Sequence, residues 1–501
     1  MSGRGQEPVG VFAGPAAAPA NNGAGYSFGT ENSWIRIQNI GDADANLEIN
    51  YFDADGNLAT TDVCPSQWCP PLYPGSGWTF FQQYNPNFPP GFQGSAVVNT
   101  DQPIVALVAK DTWRNGHFSI AGDTVEPGAG SQRIYLPAMS KRATGDWNGR
   151  FVIQNMSDSV TACVGITYLS AASDSEVASE PSGKEDGCPN GGIPISPRGS
   201  LFRAPDSMPV DDGFLGSVRI EVYKNGKGQG PEKQFISAIA DTWNEYLASF
   251  SSSHGFDESE LGTETVLPLI DRQVGPANSY STRFQIVNKT PSKPADVTLF
   301  VKGYDLSSGQ PVHVQKENSF TVNAAKACWQ NADDESNCLA PGDALPFNFV
   351  GTIRLESSQP LAVVVLRGTT LNETFTDYRG IRPADGSYRV LLPVLNKSFG
   401  PVAGVGDGWG SWFRVMVADG GYANVKVTYY GLDLEGGSAG YSLAANREFT
   451  VFQYNEGILP NGFAGTAIIE SDRPIVALAN IFTDIFTGDD DVLYNGISLD
   501  K

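Results

Sequence analysis

One short segment carries the spacing of a serine nucleophile. The sequence GGSAG at 436–440 fits the pattern GxSxG, in which a hydrolase serine sits on a sharp turn between a strand and a helix. That chemistry also needs an acid and a histidine later in the chain, and no histidine follows His313. We therefore interpret the segment as a flexible turn between two strands. The sequence predicts no catalytic residue and a protein that is not an enzyme.

Acidic side chains at two turns could supply the oxygen ligands that calcium prefers. Asp53 and Asp55 lie in the turn YFDADG, and Asp489 and Asp491 precede the last strand-like segment. Aspartates are also common in turns without a metal, because their carboxylates bond to the backbone of the turn itself. Both interpretations stay open, with calcium the only cofactor that the sequence suggests.

Tryptophans offer a third kind of chemistry, because exposed indole rings stack against sugar rings. Trp409 and Trp412 border the glycine-rich segment GVGDGWGSW and are the best candidates for ligand contact. The alternative is a role in a core or a domain junction. Trp113 and Trp243 both occur in the tripeptide DTW, and we expect these two to seal junctions between domains.

The six cysteines fall into three close pairs along the chain. Zinc binding is disfavoured, because no CxxC pair occurs and no histidine has the spacing of a further ligand. Short loops make nearest-neighbour disulfides the most economical connectivity. Such cysteine usage indicates an oxidising, extracellular or cell-surface location. The predicted disulfides are Cys64–Cys69, Cys163–Cys188 and Cys328–Cys338.

The composition excludes several classes of partner. The 501 residues carry a formal net charge of −22, which repels nucleic acids and anionic membrane surfaces. Apolar stretches such as PLAVVVL at 360–366 are much shorter than the ~18 residues of a membrane span. Frequent glycine and proline, with few charged residues, favour many short strands joined by turns. We therefore expect no nucleic-acid binding and no membrane insertion.

A pattern close to GF-x-G-[ST] recurs four times and organises the chain. Its phenylalanines are Phe92, Phe214, Phe349 and Phe463, and we refer to them as the anchor phenylalanines. Each opens an alternating apolar run that predicts a strand, followed by a second such run. We interpret each ring as a plug at one end of a domain, and the glycine after it as a place where another backbone approaches closely. Contact with a ligand is the alternative role for these rings.

The repeats predict an all-β protein of four tandem antiparallel β-sandwich domains, because alternating strands must bury one face against a second sheet. A flexible leader occupies residues 1–25, and the four domains follow in order along the chain. Their predicted boundaries are 26–132, 133–263, 264–386 and 387–501.

Several short motifs point to a known group of proteins. A YLP-type opening, an (R/F)-x-x-Q-N strand, a YFD-x-x-G turn and the LP-x-GF-x-G-S and DQPI-x-A segments resemble tandem Ig-like β-sandwich repeats of secreted and cell-surface bacterial proteins. The resemblance spans residues 26–501, and the second repeat departs from it most. It implies a surface location and a structural or adhesive role without naming a partner.

The first domain lacks a clear opening strand, which would leave one edge of a sheet unpaired. The stretch VGVF at 9–12 of the leader is a candidate donor strand for such an edge on a neighbouring chain. The leader has no continuous apolar segment typical of a secretory signal, so a signal was removed or export takes another route.

Two functional hypotheses follow. The first is a structural surface protein, with four domains in series that self-associate into a surface layer or a filament. The alternative is an adhesin or an array of carbohydrate-binding modules, with a cell-surface or polysaccharide partner held by Trp409 and Trp412.

Overall fold

The computed structural model describes most of the chain. The described residues are 9–11, 31–89, 91–114, 117–125, 128, 130–181, 188, 191–223, 234–244, 249–275, 280–328, 338–340, 343–369, 374–431, 434, 438–446, 448–486 and 488–500. Most of the predicted leader, residues 1–25, lies outside this set.

The protein is an all-β sandwich fold built from several antiparallel sheets, as the sequence predicts. Of the described residues, none belongs to an α-helix. Short 3-10 turns occur at Gln82–Tyr84, Pro205–Ser207, Pro383–Asp385 and Gln453–Asn455.

The strands of the first half of the chain form two groups. The first group is β1 (Val9–Val11), β2 (Glu31–Asn39), β3 (Leu47–Asp53), β4 (Leu58–Cys64), β5 (Gly77–Phe81), β6 (Gly94–Thr100), β7 (Ile104–Arg114) and β8 (His117–Val125). The second is β9 (Arg133–Lys141), β10 (Trp147–Asn155), β11 (Ala162–Ser170), β12 (Ser175–Glu180), β13 (Ile193–Ile195), β14 (Ser200–Arg203), β15 (Phe214–Val222), β16 (Ile236–Asn244), β17 (Phe250–His254) and β18 (Phe256–Asp257).

The second half of the chain also forms two groups. The third group is β19 (Gly262–Val274), β20 (Tyr280–Asn288), β21 (Ala295–Asp305), β22 (Val312–Val322), β23 (Ala325–Cys328), β24 (Phe349–Thr369) and β25 (Phe375–Arg379). The fourth is β26 (Ser387–Lys397), β27 (Trp409–Val417), β28 (Tyr422–Tyr430), β29 (Ser438–Asn446), β30 (Glu448–Phe452), β31 (Phe463–Thr483), β32 (Gly488–Asp489), β33 (Val492–Asn495) and β34 (Ile497–Ser498).

The same strand pairings recur in all four groups, which we call the four repeats. In the second repeat, one sheet has the order β12-β11-β15-β9 and the other has the order β14-β10-β16-β17. The first repeat has β4-β3-β6-β1 and β5-β2-β7-β8. In the third and fourth repeats, the long strands β24 and β31 serve both sheets, one half in each.

The strand order differs in one respect from that of immunoglobulin domains. In the ABED and CFG sheets of a constant domain, the first strand lies beside the second. Here the opening strand of each repeat pairs with the strand that begins near the anchor phenylalanine, as β9 does with β15. In the third repeat, the end of β19 also pairs with β20. The antiparallel sandwich is therefore shared with that fold, while the position of the opening strand is not.

The anchor pattern has a local backbone cause. The residue before each anchor phenylalanine has a positive φ, +75° at Gly91, +90° at Gly213, +57° at Asn348 and +87° at Gly462. Glycine adopts this conformation without strain, and asparagine is among the few other residues that tolerate it. The four phenylalanine side chains that follow are buried.

The glycine after each anchor phenylalanine touches the neighbouring strand. A Cβ atom at Gly465 would lie 2.1 Å from the carbonyl oxygen of Tyr430 and 2.5 Å from the ring of Phe463. The equivalent position in the second repeat, Gly216, would place a Cβ atom 2.0 Å from the carbonyl oxygen of Leu169. Only a residue without a side chain fits between the ring and the strand.

The candidate donor strand of the leader pairs within its own chain. Val9–Val11 forms β1, which runs antiparallel to β6 with Val9 opposite Val98. This is the place that β9, β19 and β26 take in the other repeats. Within the described residues, β1 pairs with Ala96 to Val98 of the β6 edge.

The repeats do not lie in a linear series, contrary to the expectation from the sequence. The last strands of the four repeats form a closed cycle of contacts, in which β8 touches β17 and β33, and β25 touches the same two strands. Hydrogen bonds also join each repeat to the next. Arg414 Nε donates to Pro268 O across the third junction, and Arg36 Nε donates to Pro393 O where the fourth repeat meets the first.

Because the repeats close into a ring, apolar clusters extend from one repeat into the next. Each repeat has an apolar interior between its two sheets, but the interior of the fourth continues into Leu107, Phe118 and Ile120 of the first. Leu478 and Leu493 of the fourth repeat likewise pack with the core of the third. The expectation that each domain buries its apolar faces alone is therefore wrong, because outer sheet faces are buried between repeats.

Candidate functional site

An aromatic groove of about 650 Å³ runs along the junction between the first and fourth repeats. One wall is the outer face of the sheet β5-β2-β7-β8, and the other comes from β26, β27, β31 and the segments near them. Asn32, Trp34 and Arg36 lie on the first of these walls, because alternate residues of β2 point to the same face of the sheet.

Four rings form a continuous cluster on the floor of the groove. The Phe118 ring centroid lies 4.5 Å from that of Phe486 and 5.4 Å from that of Trp113. Trp409 completes the cluster, with its centroid 6.5 Å from both Phe118 and Phe486. These separations are typical of edge-on and tilted aromatic packing, which fixes the orientation of each ring.

A second strip of rings follows the β5 side. Trp34 contacts Phe81 at a centroid distance of 6.2 Å, and Phe81 contacts Tyr84 at 5.9 Å. Several of the groove rings remain open to solvent, at 42% for Trp113, 44% for Phe81 and 76% for Tyr84. Exposed rings held by buried neighbours can stack against a flat ligand with little loss of side-chain freedom.

Polar groups interrupt this apolar surface. Asn32 Nδ2 donates a hydrogen bond to Asp111 Oδ1 at 3.1 Å, since the two residues face each other on β2 and β7. Burial raises the pKa of Asp111, and the nearby Glu31 raises it further. Gln83 and Asn396 also line the groove. The mixture of rings and hydrogen-bonding groups suits a ligand that has both flat apolar faces and hydroxyl groups.

Among the described residues that line the groove, Arg36 alone carries a positive charge. Its Nη1 donates to Thr79 Oγ1 at 3.2 Å, in addition to the bond from Nε to Pro393 O. Burial lowers the pKa of Arg36. In the described part of the chain, no carboxylate lies within ion-pair distance of this guanidinium.

Trp409 and Trp412 do not act as a pair. They are three residues apart on β27, so their side chains leave opposite faces of the strand. Trp409 lines the groove, whereas Trp412 packs against Phe452 and lies 5.8 Å from the guanidinium carbon of Arg367. Ligand contact stays a prediction for both tryptophans, although they do not face the same groove. The groove that Trp409 lines adds Trp34 and Trp113 as candidates.

The DTW tryptophans both lie at junctions. Trp243 is buried with Phe250 and with Ala121 of the first repeat, where the first and second repeats meet. Trp113 faces the fourth repeat, with its ring centroid 5.5 Å from that of Phe486. It is half exposed, so it closes that junction only in part.

The turn acids proposed for calcium bond to the protein itself. Asp53 Oδ1 accepts hydrogen bonds from the backbone N–H of Asp55 at 3.0 Å and of Asn57 at 2.8 Å. The same turn docks on the second repeat, where the backbone N–H of Ser200 donates to Ala54 O at 2.9 Å. Asp53 therefore shapes its own turn.

The acids near the end of the chain lie inside the ring of repeats. Asp489 Oδ2 accepts backbone hydrogen bonds from Phe250 at 2.7 Å and Phe375 at 2.9 Å, and so joins three repeats. Burial raises the pKa of Asp489 well above its usual range and that of Asp491 to about 6. In the described ranges, no three potential ligands cluster as a metal site requires. Calcium binding at either aspartate pair stays a prediction.

The remaining motifs have simple outcomes. The three predicted disulfides are present, with Cα–Cα distances of 5.3, 5.8 and 5.4 Å. In the GGSAG segment, residues 436 and 437 lie outside the described residues. Ser438 begins β29 opposite Tyr430, in a strand and not at a strand-to-helix turn.

A second cleft, of about 610 Å³, lies between the third and fourth repeats. Its walls carry side chains of both signs, among them Lys302, Glu317, Arg354 and Asp419. The ring of Tyr304 stacks there against His313 with centroids 4.5 Å apart. This cleft lacks the continuous cluster of rings found in the groove.

No protein-family model and no curated protein matches the chain. Among solved structures, the chain is similar to Thermotoga maritima 1070, with 14% identity over 21% of this chain and 97% of that one, and a TM-score of 0.16. It is also similar to Escherichia coli alpha-2-macroglobulin activated by porcine elastase, with 10% identity over 97% of this chain and 44% of that one, and a TM-score of 0.14.

A third similar structure is that of the infectious bursal disease virus Gt strain, with 10% identity over 95% of this chain and 85% of that one, and a TM-score of 0.10. All three TM-scores are too low to indicate a common fold. Within the described residues, no helix has the length and apolar character needed to span a membrane.

Proposed function

We propose that the protein is a non-enzymatic extracellular or cell-surface protein that binds a saccharide in the groove between its first and fourth repeats. The single observation that carries this proposal is the aromatic lining of one groove, bordered by Asn32 and Asp111. The lining consists of two sets of rings: Tyr84, Phe81 and Trp34, and Trp113, Phe118, Phe486 and Trp409. Sugar rings offer flat C–H faces to stack on such rings and hydroxyl groups to bond to the amide and carboxylate.

Three further features support this role. The disulfides indicate folding in an oxidising environment. The motifs resemble Ig-like repeats of secreted and cell-surface bacterial proteins, for which a structural or adhesive role is implied. Closure of the repeats into a ring creates the groove from two distant parts of the chain, and ring closure orders its aromatic walls before a ligand arrives.

The test is a panel of soluble oligosaccharides with calorimetric titration of the wild type, Trp113→Ala and Trp68→Ala. Trp68 is 79% exposed and lies outside the groove, so its replacement controls for the loss of an exposed indole elsewhere. We expect Trp113→Ala to weaken binding roughly tenfold. A panel without any bound saccharide would rule the proposal out, as would equal losses from the two variants.

A second candidate function is a structural subunit of a surface layer or a filament. The observation that favours it is that the first repeat takes the strand β1 from the N-terminal segment, with Val9–Val11 antiparallel to Ala96–Val98 of β6. A strand from a chain terminus that completes a sheet edge can add instead to the same edge of a second copy of the chain.

Strand exchange is tested by mixing two cysteine variants, Val9→Cys and Val98→Cys, which carry different affinity tags. These positions face each other across β1 and β6. A covalent dimer that carries both tags is the expected product of exchange. If each variant stays monomeric under oxidation, and if removal of residues 1–11 leaves the assembly state unchanged in electron micrographs, exchange does not occur.

A further inference from the structure

Two junctions of the ring use the same arginine in the same way. Arg36 on β2 and Arg414 on β27 hold equivalent positions in the first and fourth repeats. Each Nε donates to a proline carbonyl on the opening strand of the preceding repeat in the ring, and each Nη1 donates to a threonine, Thr79 or Thr450. The Nε and Nη1 atoms of the two guanidinium groups thus have equivalent hydrogen-bond partners, and only the surroundings of Nη2 differ.

The difference lies at Nη2 of the two arginines. A glutamate side chain lies beside Nη2 of Arg414, whereas the equivalent residue beside Nη2 of Arg36 is a glycine. Glu448 on β30 places its Oε1 3.0 Å from Nη2 of Arg414, which completes a buried ion pair. The equivalent residue on β5 is Gly77, two positions before Thr79 as Glu448 is two before Thr450. A Cβ atom at Gly77 would lie 3.3 Å from Nη2 of Arg36, so a side chain there would reach the guanidinium directly. It would also lie 2.8 Å from the carbonyl oxygen of Ile37, so β2 and β5 must shift slightly to admit it.

Arg36 therefore has a charge without a counterpart at the end of an aromatic groove. Among the described residues, none accepts a hydrogen bond from its Nη2, and this nitrogen is not sealed from solvent as the buried orphan atoms are. A partly buried guanidinium binds a carboxylate much more strongly than an exposed one does, because water screens the pair less. The protein's net charge of −22 makes such a positive site stand out from its surroundings.

We propose that the groove takes a saccharide bearing a carboxylate, a hexuronic acid, whose carboxylate occupies beside Arg36 the place that Glu448 occupies beside Arg414. This inference rests on the proposed function and specifies its ligand class. The sugar ring stacks on Trp34, the neighbour of Arg36 on the same face of β2. Hydroxyl groups further along the ligand reach Asn32 and Asp111.

A saccharide accounts for the groove better than an acidic peptide does. The residues of β2 and β7 that line the groove lie inside the sheet, and the edge strand β5 contributes the side chains of Thr79 and Phe81 to the lining. Rings therefore dominate the surface that a ligand meets. Asp111 on β7, opposite Asn32, repels a second carboxylate. The site therefore suits one acid group followed by hydroxyl-rich rings.

The experiment compares an oligogalacturonate with the matching neutral galacto-oligosaccharide and with a tetra-aspartate peptide, by calorimetric titration at ~0.15 M salt. Each is tested on the wild type, Gly77→Glu and Gly77→Ala. Gly77→Glu supplies the protein's own carboxylate, as Glu448 does for Arg414. Gly77→Ala is the matched control, because it adds the same Cβ atom without the charge, and thermal melting verifies that both variants fold.

We expect the wild type and Gly77→Ala to bind the uronate roughly tenfold more tightly than the neutral sugar, and Gly77→Glu to lose that preference while it keeps the neutral affinity. Equal binding of both sugars by the wild type overturns the carboxylate assignment and leaves the proposed function standing. Binding of neither sugar overturns the carboxylate assignment, and it overturns the proposed function as well when the oligosaccharide panel also shows no binding. Binding of the peptide in preference to the uronate overturns the saccharide class.

Discussion

Lys110 of the first repeat and Asp241 of the second form a buried ion pair across the junction between them. Lys110 Nζ donates to both carboxylate oxygens of Asp241, at 2.7 and 2.9 Å. Arg150 Nε donates to the same carboxylate at 2.7 Å and also pairs with Glu31. Two cations thus share one fully enclosed acid at the junction between the first and second repeats.

Replacement of Asp241 by Asn should destabilise the protein by ~3–5 kcal/mol, because it leaves Lys110 and part of Arg150 buried without their counter-charge. The matched control is Asp212→Asn, which removes an exposed partner of Arg142 and should cost less than ~1 kcal/mol. Chemical denaturation of both variants measures the difference. Similar losses for the two would show that the buried pair is not special.

Acid should weaken the same junction. Burial alone would raise the pKa of Asp241, but Lys110 and Arg150 together outweigh burial and hold the pKa below its usual range. An acid with a lowered pKa in the folded state contributes stability above its unfolded pKa of ~3.9 and loses it as the pH falls through the folded value. Thermal melting below pH 4 should therefore show a steeper loss in the wild type than in Asp241→Asn.

Asp377 should have the opposite pH dependence. Burial raises its pKa to about 7, and the neighbouring Asp123 adds to this shift. The folded state then holds more protons than the unfolded state from about pH 4 to 7, so stability falls as the pH rises through that window. We expect Asp377→Asn to be ~2–4 kcal/mol more stable than the wild type at pH 8 and nearly equal to it at pH 4. A constant difference across this range would contradict the shift.

The three disulfides should differ in their contribution to stability. The chain-entropy model gives ~3.5 kcal/mol for Cys163–Cys188, with a sequence separation of 25, and ~2 kcal/mol for Cys64–Cys69, with a separation of 5. Paired Cys→Ala replacements, measured by denaturation without reductant, test this order. An equal or reversed order would mean that the loops are already ordered in the unfolded chain.

The glycine beside the anchor ring should be intolerant of any side chain. Gly465→Ala should cost ~1–3 kcal/mol or more, since its Cβ atom would overlap the carbonyl oxygen of Tyr430. Gly457→Ala is the control, because a Cβ atom there meets nothing within 4 Å. Melting temperatures of the two variants provide the measurement, and a mild effect at Gly465 would argue against close backbone approach at this position.

The anchor pattern and the disulfides could be predicted from the sequence, because both depend on residues that are close together along the chain. The anchor pattern reflects a positive φ followed by a buried ring, and both act within a few residues. The cysteine pairs close short loops, so their connectivity needed no long-range information. The residues of the candidate groove could be predicted only in part from the sequence. The sequence indicates Trp409, but Trp412 lies on the opposite face of the same strand. Trp34 lines the same groove as Trp409 although the two residues come from opposite ends of the chain.

The sequence by itself determined the strands, the sandwich and the disulfides, since alternation of apolar residues specifies which face of each strand is buried. Only the tertiary structure decided that the repeats close into a ring. Closure depends on the outer faces, where residues such as Arg36 and Lys110 look like ordinary surface positions until another repeat covers them. The physical reason is that alternation separates the two faces of a strand but does not reveal what lies against the outer one.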